Sequence, residues 1–254
     1  MQRDSVVFIL SEFQLSLQKN QILKLKKHNW RKYTFEFLSI FFAVISAFAL
    51  NNWNDNNRDK KAESKILLEI LNGLEKDIED VKSNAQGHKT GITACLFWRK
   101  VFTGKTPNLD SLQHYYFVLT RDFVSIQNTS GYETLKSKGL ELIKNDSLRT
   151  KIISLYEYDY KALTKLEEGY NELQFQENYF QEINNLIAPK FQYDLKGDIS
   201  GLELPLDINK SERNILMSYL WKIQVNRKFI LRSYTDVQGK ITKLNTEIQK
   251  ELNQ

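Results

Sequence analysis

Cysteine, proline and glycine are all scarce in this chain of 254 residues, which holds one cysteine, three prolines and ten glycines. A single thiol cannot form an internal disulfide, so a disulfide-stabilised scaffold is excluded. We expect that thiol, Cys95, to be buried among its apolar neighbours. Neither proline nor glycine occurs from Tyr33 to Lys65, and both residues interrupt helices. One helix is therefore expected to continue through this stretch.

Motifs for catalysis and for metal binding are also lacking. No HExxH, CxxC or GxSxG motif occurs. The histidines are too scattered to share one metal, and they are His28, His88 and His114. The segment Gly104-Lys105-Thr106 looks like the end of a phosphate-binding loop, but Arg99 stands where that motif requires glycine. The sequence therefore predicts no catalytic residue, no cofactor and no metal ligand, and an enzyme is the least expected class.

Positive charge is in excess only near the amino terminus. Residues 1–33 hold seven cations and two acids, whereas residues 54–254 hold 29 cations and 28 acids. The chain's net charge of +5 therefore comes from the amino-terminal segment. Nucleic-acid binding needs clustered cations on the binding surface, and the large part of the chain has no such surplus. Nucleic acid is not expected as a partner.

The chain does contain one long apolar stretch, from Tyr33 to Trp53. Its last 20 residues would form about 30 Å of helix, at about 1.5 Å per residue, which matches the hydrocarbon core of a bilayer. Aromatic side chains of the kind found at water–lipid interfaces flank it, and these are Trp30, Tyr33 and Trp53. Six cations and no acid lie between Lys19 and Lys32, which predicts that this side stays in the cytoplasm.

Three segments follow: a basic cytoplasmic segment (residues 1–32), a transmembrane helix (33–53) and an extracytoplasmic domain (54–254). Two alternatives stay open. The triplet Ala47-Phe48-Ala49 has the small-x-small form of a signal-peptide cleavage site, and cleavage there would make the protein secreted. The uninterrupted apolar core, residues 37–50, is also short enough to be the buried helix of a soluble protein.

Small residues recur every four positions along the predicted span. Such a stripe lets two membrane helices approach closely, so a second copy of the chain or a membrane-protein partner is expected, in addition to lipid. The expected packing residues are Glu36, Ser39, Ala43, Ser46 and Ala47. Glu36 is a functional candidate because ionisable groups are rare within a bilayer. The alternative is that it pairs with Arg31 or Lys32 at the headgroups.

Beyond the span, apolar residues at alternating spacings of four and three predict helices packed on one another. The first helix continues from the span and is expected to end at Gly87. Its apolar seam is Leu67, Leu71, Leu74, Ile78 and Val81. Shorter helices are predicted over residues 91–102, 108–122 and 132–143, with a loop over 124–131.

Two long helices, residues 146–188 and 210–252, are predicted to make an antiparallel hairpin. In the second, nine of eleven seam positions are apolar or aromatic, and Asn209 followed by Glu212 predicts a capped start. In the first, nine of twelve are apolar, and the exceptions are Asp159, Gly169 and Gln176. Residues 189–208 are predicted to be a loop. The expected fold is all-α, with a single transmembrane helix continuing into an extracytoplasmic helical bundle.

Binding is expected in the turn region 128–139, because loops on rigid helices carry recognition. The candidate residues are Asn128, Tyr132, Glu133, Lys136 and Gly139. Five tyrosines on the predicted helix 146–188 allow two interpretations, a ligand-binding aromatic face or packed rings with hydroxyls in water. These are Tyr156, Tyr158, Tyr160, Tyr170 and Tyr179.

Two stretches resemble an uncharacterised family of small single-pass membrane proteins of Gram-negative bacteria. One is the span with Glu36 near its start and the exit Asn51-Asn52-Trp53-Asn54; the other is the block from Tyr132 to Ser137 followed by Gly139. The chain departs from the family in having Phe35 before the glutamate and Ala43 in mid-helix, where that family has glycine. The resemblance covers residues 24–254 and implies an inner-membrane location and a helical fold, but no activity.

The sequence therefore predicts a non-enzymatic membrane protein of the bacterial cell envelope, acting as a scaffold, assembly or accessory interaction protein. Its amino terminus would be cytoplasmic and its large domain periplasmic. A ligand-sensing module that signals through a partner is the alternative, since only about 33 residues would lie in the cytoplasm for output.

Overall fold

The computed structural model describes the backbone of residues 3–253 and the side chains of residues 12–19 and 30–253. The side chains of His28 and of four expected cytoplasmic cations therefore lie outside the described residues; those cations are Arg3, Lys24, Lys26 and Lys27. The structure is mostly helical, at 82%, as the predicted all-α class requires. It divides into two compact units, Met1–Lys61 and Ala62–Gln254.

The first unit consists of the amino-terminal part of α1 (Arg3–Phe102). By length and composition this helix could cross a membrane, since an 18-residue window reaches a mean hydropathy of 1.8 with none of it buried. The hydroxyl of Ser39 donates to the carbonyl of Phe35 at 2.8 Å, so its polarity is satisfied within the helix. Glu36 lies 4.0 Å from Lys32, one of the two expected pairings. The five expected packing residues are all exposed.

In the second unit, α1 continues without a break to Phe102. The predicted stop at Gly87 and the separate helix over residues 91–102 are therefore wrong. The glycines are needed for close packing: a Cβ added at Gly87 would lie 2.3 Å from Cε1 of Phe123, and one at Gly91 would lie 2.4 Å from Nε of Arg227. These positions accept glycine despite its low helix propensity because other side chains occupy the space of a Cβ.

α1 ends instead at Phe102, two residues before Gly104, whose φ of +77° suits a residue without a Cβ. The next amide, that of Lys105, donates to the carbonyl of Lys100 at 2.9 Å. A 3₁₀ turn (Leu109–Ser111) and α2 (Leu112–Leu119) then replace the predicted helix over 108–122.

The segment between α2 and α3 has neither helix nor strand, close to the predicted loop over 124–131. α3 (Ser130–Lys138) and a 3₁₀ turn (Leu140–Leu142) account for the helix predicted over 132–143. Gly139 separates the two with a φ of +101°.

The single helix predicted over residues 146–188 is wrong, because a π turn interrupts its α-helical hydrogen bonding and the helix then ends at Gly169, before another begins at Phe175. The pieces are α4 (Asp146–Ser154), a π turn (Leu155–Asp159), α5 (Tyr160–Gly169), a 3₁₀ turn (Asn171–Leu173) and α6 (Phe175–Ile187). A π turn inserts one extra residue, so the buried seam of α5 moves one position along, to Tyr160, Leu163 and Glu167. The three non-apolar seam positions lie in the π turn, at the end of α5 and at the start of α6.

The predicted loop over 189–208 is wrong in part. A 3₁₀ turn (Ala188–Lys190) leads into β1 (Phe191–Tyr193), which pairs antiparallel with β2 (Ile199–Leu202). Strands of three and four residues are too short to show the alternation by which strands are recognised in a sequence.

α7 (Lys210–Leu252) has the predicted boundaries. Its capping box is confirmed, since the side chain of Asn209 accepts from the amide of Glu212 at 3.0 Å and Glu212 accepts from the amide of Asn209 at 2.8 Å. Ten of the eleven predicted seam positions are buried: Leu216, Leu220, Ile223, Arg227, Ile230, Tyr234, Val237, Ile241, Leu244 and Ile248. α7 therefore packs along its whole length against the rest of the second unit.

Gly91→Ala is expected to lower the free energy of unfolding by about 2 kcal/mol, because the new methyl group overpacks a fixed, fully buried arginine. The control is Gly239→Ala in α7, where nothing lies within 4 Å of the added Cβ and better helix propensity should add about 0.5–1 kcal/mol. Urea unfolding of the full chain in detergent, followed by circular dichroism, measures both. Equal effects from the two substitutions would contradict this account of Gly91.

Candidate functional site

Residues 120–129 form a loop without helix or strand between α2 and α3, and we call this segment the buried loop after its two buried residues, Thr120 and Ser125. No strand pairs with it, and helix side chains accept the protons of three of its amides. Three carboxylates do so: Glu167 from Ser125 at 3.1 Å, Asp80 from Ile126 at 2.9 Å and Asp77 from Asn128 at 2.7 Å. Carboxylates from α1 and α5 thus hold the loop in place.

Two of these carboxylates are buried and further hydrogen-bonded. Glu167 also accepts from the hydroxyl of Ser125 at 2.8 Å and from that of Tyr234 on α7, and Asp77 accepts from the hydroxyl of Tyr160 at 2.6 Å. Burial raises the pKa of both carboxyl groups above the ordinary value, because desolvation of the charged form outweighs the hydrogen bonds that favour it.

Arg227 holds the other end of the buried loop from a fully buried position on α7. Its Nη2 donates to three carbonyls at the end of α2 and just beyond: Val118 at 3.1 Å, Leu119 at 3.1 Å and Arg121 at 2.9 Å. The carboxyl end of a helix carries unpaired carbonyls and partial negative charge, which a cation satisfies. Burial lowers the pKa of Arg227 to about 10, so it stays charged at neutral pH.

His88 on α1 completes the contacts of this arginine. Burial, with a smaller contribution from the charge of Arg227, lowers the pKa of His88 to about 3, so the ring is neutral. Its Nδ1 lies 3.1 Å from Nη1 of Arg227 and accepts the hydrogen bond, since the guanidinium can only donate. The aromatic rings of Phe175 and Phe123 cover the guanidinium at 4.5 Å and 5.6 Å from their centres.

These charged groups face the backbone of their own chain rather than an open cavity. The chemistry that they support is the satisfaction of loop amides and carbonyls, which stabilises one conformation of the loop. Among the described residues, no three His, Cys, Asp or Glu side chains are grouped to hold a metal ion.

The sequence-predicted recognition residues fall into two groups. Asn128 lies in the buried loop, and Tyr132 is buried with its ring stacked on that of Tyr156 at 4.5 Å. Glu133 and Lys136 are exposed and paired at 2.8 Å, and Gly139 is exposed at the end of α3. The structure brings Tyr132 and Lys136 together, with the ammonium 5.2 Å from the ring centre. Of these candidates, only the exposed residues Glu133, Lys136 and Gly139 are accessible to a partner.

The five tyrosines separate in the same way. Tyr156, Tyr160 and Tyr179 are buried in the core, as in the packing interpretation. Two of their hydroxyls do not face water as that interpretation expects, since Tyr156 donates to the carbonyl of Asn128 and Tyr160 to Asp77. Tyr158 is 70% exposed beside the π turn. No single aromatic face is formed.

Sequence reasoning did not assign a role to Arg227 or to Glu167. The signal for Arg227 was present, because a cation occupies a seam position between Ile223 and Ile230 where an apolar side chain is expected. The sequence carries no such signal for Glu167. It lies outside the predicted seam and becomes buried only because the π turn moves the seam by one residue, and the apolar periodicity does not reveal that turn.

A surface groove lies beside the π turn, between α4 and α7. Its volume is about 310 Å³, and it is lined by Lys151, Ser154, Leu155, Tyr158, Asp159, Lys240, Lys243 and Leu244. Two ion pairs cross between its walls, Lys151 with Glu247 at 2.7 Å and Lys240 with Asp159 at 2.9 Å. Leu155 and Leu244 are buried and form an apolar floor. The size suits a small ligand.

The raised pKa of Glu167 predicts a pH dependence of stability. A carboxyl group with a folded-state pKa above its unfolded value contributes stability that is fully present below the unfolded pKa and is lost as the pH rises through the folded pKa. Glu167→Gln removes this titration. The stability of the native chain relative to this variant should therefore be greater at about pH 4 than at about pH 7.

Urea unfolding at the two pH values measures this difference, with Glu79→Gln, an exposed carboxylate of α1, as the control. A difference between the native chain and Glu167→Gln that does not change with pH, or that grows as the pH rises, would contradict the assigned direction.

Comparisons of the chain with protein-family models, with curated proteins and with solved structures find no match. The resemblance carried by Asn51-Asn52-Trp53-Asn54 and by the Tyr132 block therefore stays a prediction. What is known of the second unit rests on its own geometry.

Proposed function

We propose that this chain is a membrane-anchored, non-enzymatic interaction protein of the bacterial cell envelope, a scaffold or accessory component. Residues 33–53 would cross the inner membrane, residues 1–32 would lie in the cytoplasm and residues 54–254 in the periplasm. Lipid and a protein partner or second copy would be its binding partners. The helical domain would form a bundle built on the antiparallel pairing of α7 with α4–α6.

One observation carries the non-enzymatic part of the proposal. Asp77, Glu167 and Arg227 are the charged groups that a catalyst would expose to substrate, and each is buried and hydrogen-bonded to the backbone of the buried loop or of the adjoining end of α2. Removing any of them would leave buried backbone groups unsatisfied. Their role as architecture supports a rigid domain that acts through its surface.

The anchor is supported by the apolar composition of α1 and by its flanks. Aromatic residues lie at both ends of the apolar stretch, and the cations precede it, which is the charge arrangement of a cytoplasmic amino terminus. Within the span, the stripe of Ser39, Ala43 and Ala47 would let a second membrane helix approach.

The anchor predicts that the full chain of 29.9 kDa is recovered from membranes with its amino-terminal segment intact. A carboxyl-terminal tag should be digested when protease is added to spheroplasts. Intact-mass measurement and protease treatment test this directly. A measured mass that matches a chain cleaved after Ala49 would support the secreted alternative. A tag that is protected from protease would place the domain in the cytosol. Either result would overturn the proposal.

Affinity purification after cross-linking in intact cells tests the interaction part. The chain and a control, with residues 33–53 replaced by an unrelated transmembrane helix, are purified from solubilised membranes. A defined set of proteins that accompanies the native chain supports the proposal. The control shows whether the span contributes beyond anchoring. Recovery of the chain alone would overturn an interaction function.

A second candidate function, extracytoplasmic ligand sensing, is favoured by the groove at the π turn. π turns inside helices occur frequently at functional sites. The apolar floor of Leu155 and Leu244 and the exposed ammonium of Lys243, which is not ion-paired within the described residues, suit a small molecule with an apolar body and one anionic group.

If the groove binds such a molecule, indole-3-acetate should raise the unfolding temperature of the full chain, because a ligand that binds only the folded state stabilises it. Lys243→Gln should remove most of the increase, and Lys250→Gln, an exposed lysine of α7 outside the groove, should leave it unchanged. The uncharged indole-3-acetamide tests the need for the anion. No shift with the native chain, or equal shifts in all three proteins, would reject the groove as an anion site.

A further inference from the structure

The outward face of α7 carries an apolar stripe that the fold does not cover. Trp221, Val225 and Phe229 follow one another at intervals of four residues, so they share one face of the helix. They are 60%, 42% and 41% exposed. Tyr170, at the end of α5, contacts Phe229 with ring centres 6.0 Å apart and widens the stripe. Exposed aromatic clusters of this kind mark interaction surfaces.

Positive charge is concentrated along the same part of α7. Apart from the buried Arg227, residues 210–232 hold five cations and a single acid, Glu212, which the capping box already uses. The cations are Lys210, Arg213, Lys222, Lys228 and Arg232, and none of the five is ion-paired with another described side chain. The remainder of the helix, residues 233–252, holds three cations and three acids, and Lys240 there is paired with Asp159 and Asp236. Unpaired charge and exposed apolar surface thus coincide.

We propose that this face of α7 binds an acidic amphipathic helix of a protein partner. Apolar side chains of that helix would cover Trp221, Val225 and Phe229, and its acidic side chains would meet the unpaired cations beside them. The stripe spans about two helical turns, about 12 Å at about 1.5 Å per residue. Tryptophan, phenylalanine and tyrosine are also enriched in protein interfaces.

The flank of the stripe favours a protein over an anionic lipid surface. On the side of α5, Glu172 is hydrogen-bonded to Asn226 at 3.2 Å, and Glu168, two residues before Tyr170, is exposed. Carboxylates therefore lie among the cations that border the stripe. A uniformly anionic bilayer would be repelled by these carboxylates, whereas a protein helix can match both signs.

The inference deepens the proposed interaction function and depends on it. Val225 is replaced by p-benzoylphenylalanine in the full chain, and cells are irradiated. The expected result is one discrete protein adduct, in which the cross-linked peptide has acidic residues on one side of an apolar stripe. Changing Lys222, Lys228 and Arg232 together to glutamate should reduce this adduct by at least about tenfold, because opposing charges become like charges.

The matched control changes Lys76, Lys165 and Lys250 to glutamate, exposed lysines away from the stripe, and should leave the adduct unchanged. Circular dichroism and unfolding midpoints confirm that both triple variants are folded. A lipid adduct, an adduct with a second copy, or an adduct insensitive to the charge reversal would each overturn the inference.

Cross-linkers at Leu68 and Leu96, exposed apolar residues of α1, separate two kinds of failure. Protein adducts from these positions but none from Val225 would refute the α7 surface and leave the interaction function standing. Absence of protein adducts from all three positions would refute both.

Discussion

A loop with neither helix nor strand needs side chains to complete its backbone hydrogen bonds wherever water does not reach them. The buried loop of this protein meets that need with carboxylates for its amides and with Arg227 for the carbonyls that precede it. An unsatisfied buried backbone group costs about 1–3 kcal/mol, so each of these contacts matters to stability. The packing of α1, α5 and α7 around the loop follows from the need to bring these side chains together.

Several smaller features of the core serve the same arrangement. Gly87 and Gly91 leave room on α1 for Phe123 and Arg227. The π turn shifts α5 by one residue and places Glu167 against the loop. Asp77, Glu167 and Arg227 thus hold the backbone of the loop and of the adjoining helix end. The surfaces proposed for function are the outward face of α7 and the groove at the π turn.

Prediction from sequence succeeded where one local pattern ran undisturbed. α7 has no proline, its capping residues adjoin its first turn, and its seam repeats from Leu216 to Ile248. Prediction failed where a long-range contact overrode the local signal. The local sequence around Gly87 predicts a helix end. Glycine is needed there because the ring of Phe123, on a distant segment, occupies the space of a Cβ. The sequence predicts one continuous helix over 146–188, because one added residue in a π turn leaves most of the apolar periodicity intact.

The amino-acid sequence by itself determined a mostly helical protein with one helix apolar enough to cross a membrane, a cationic segment before it and a long carboxyl-terminal helix with a defined start. These properties depend on composition, periodicity and neighbouring residues. Only the tertiary structure decided which charges are buried, which glycines are tight contacts and which aromatic residues stay uncovered. The reason is physical: Arg227 and Trp221 lie six positions apart on one helix, and whether each meets protein or solvent depends on segments far away in the chain.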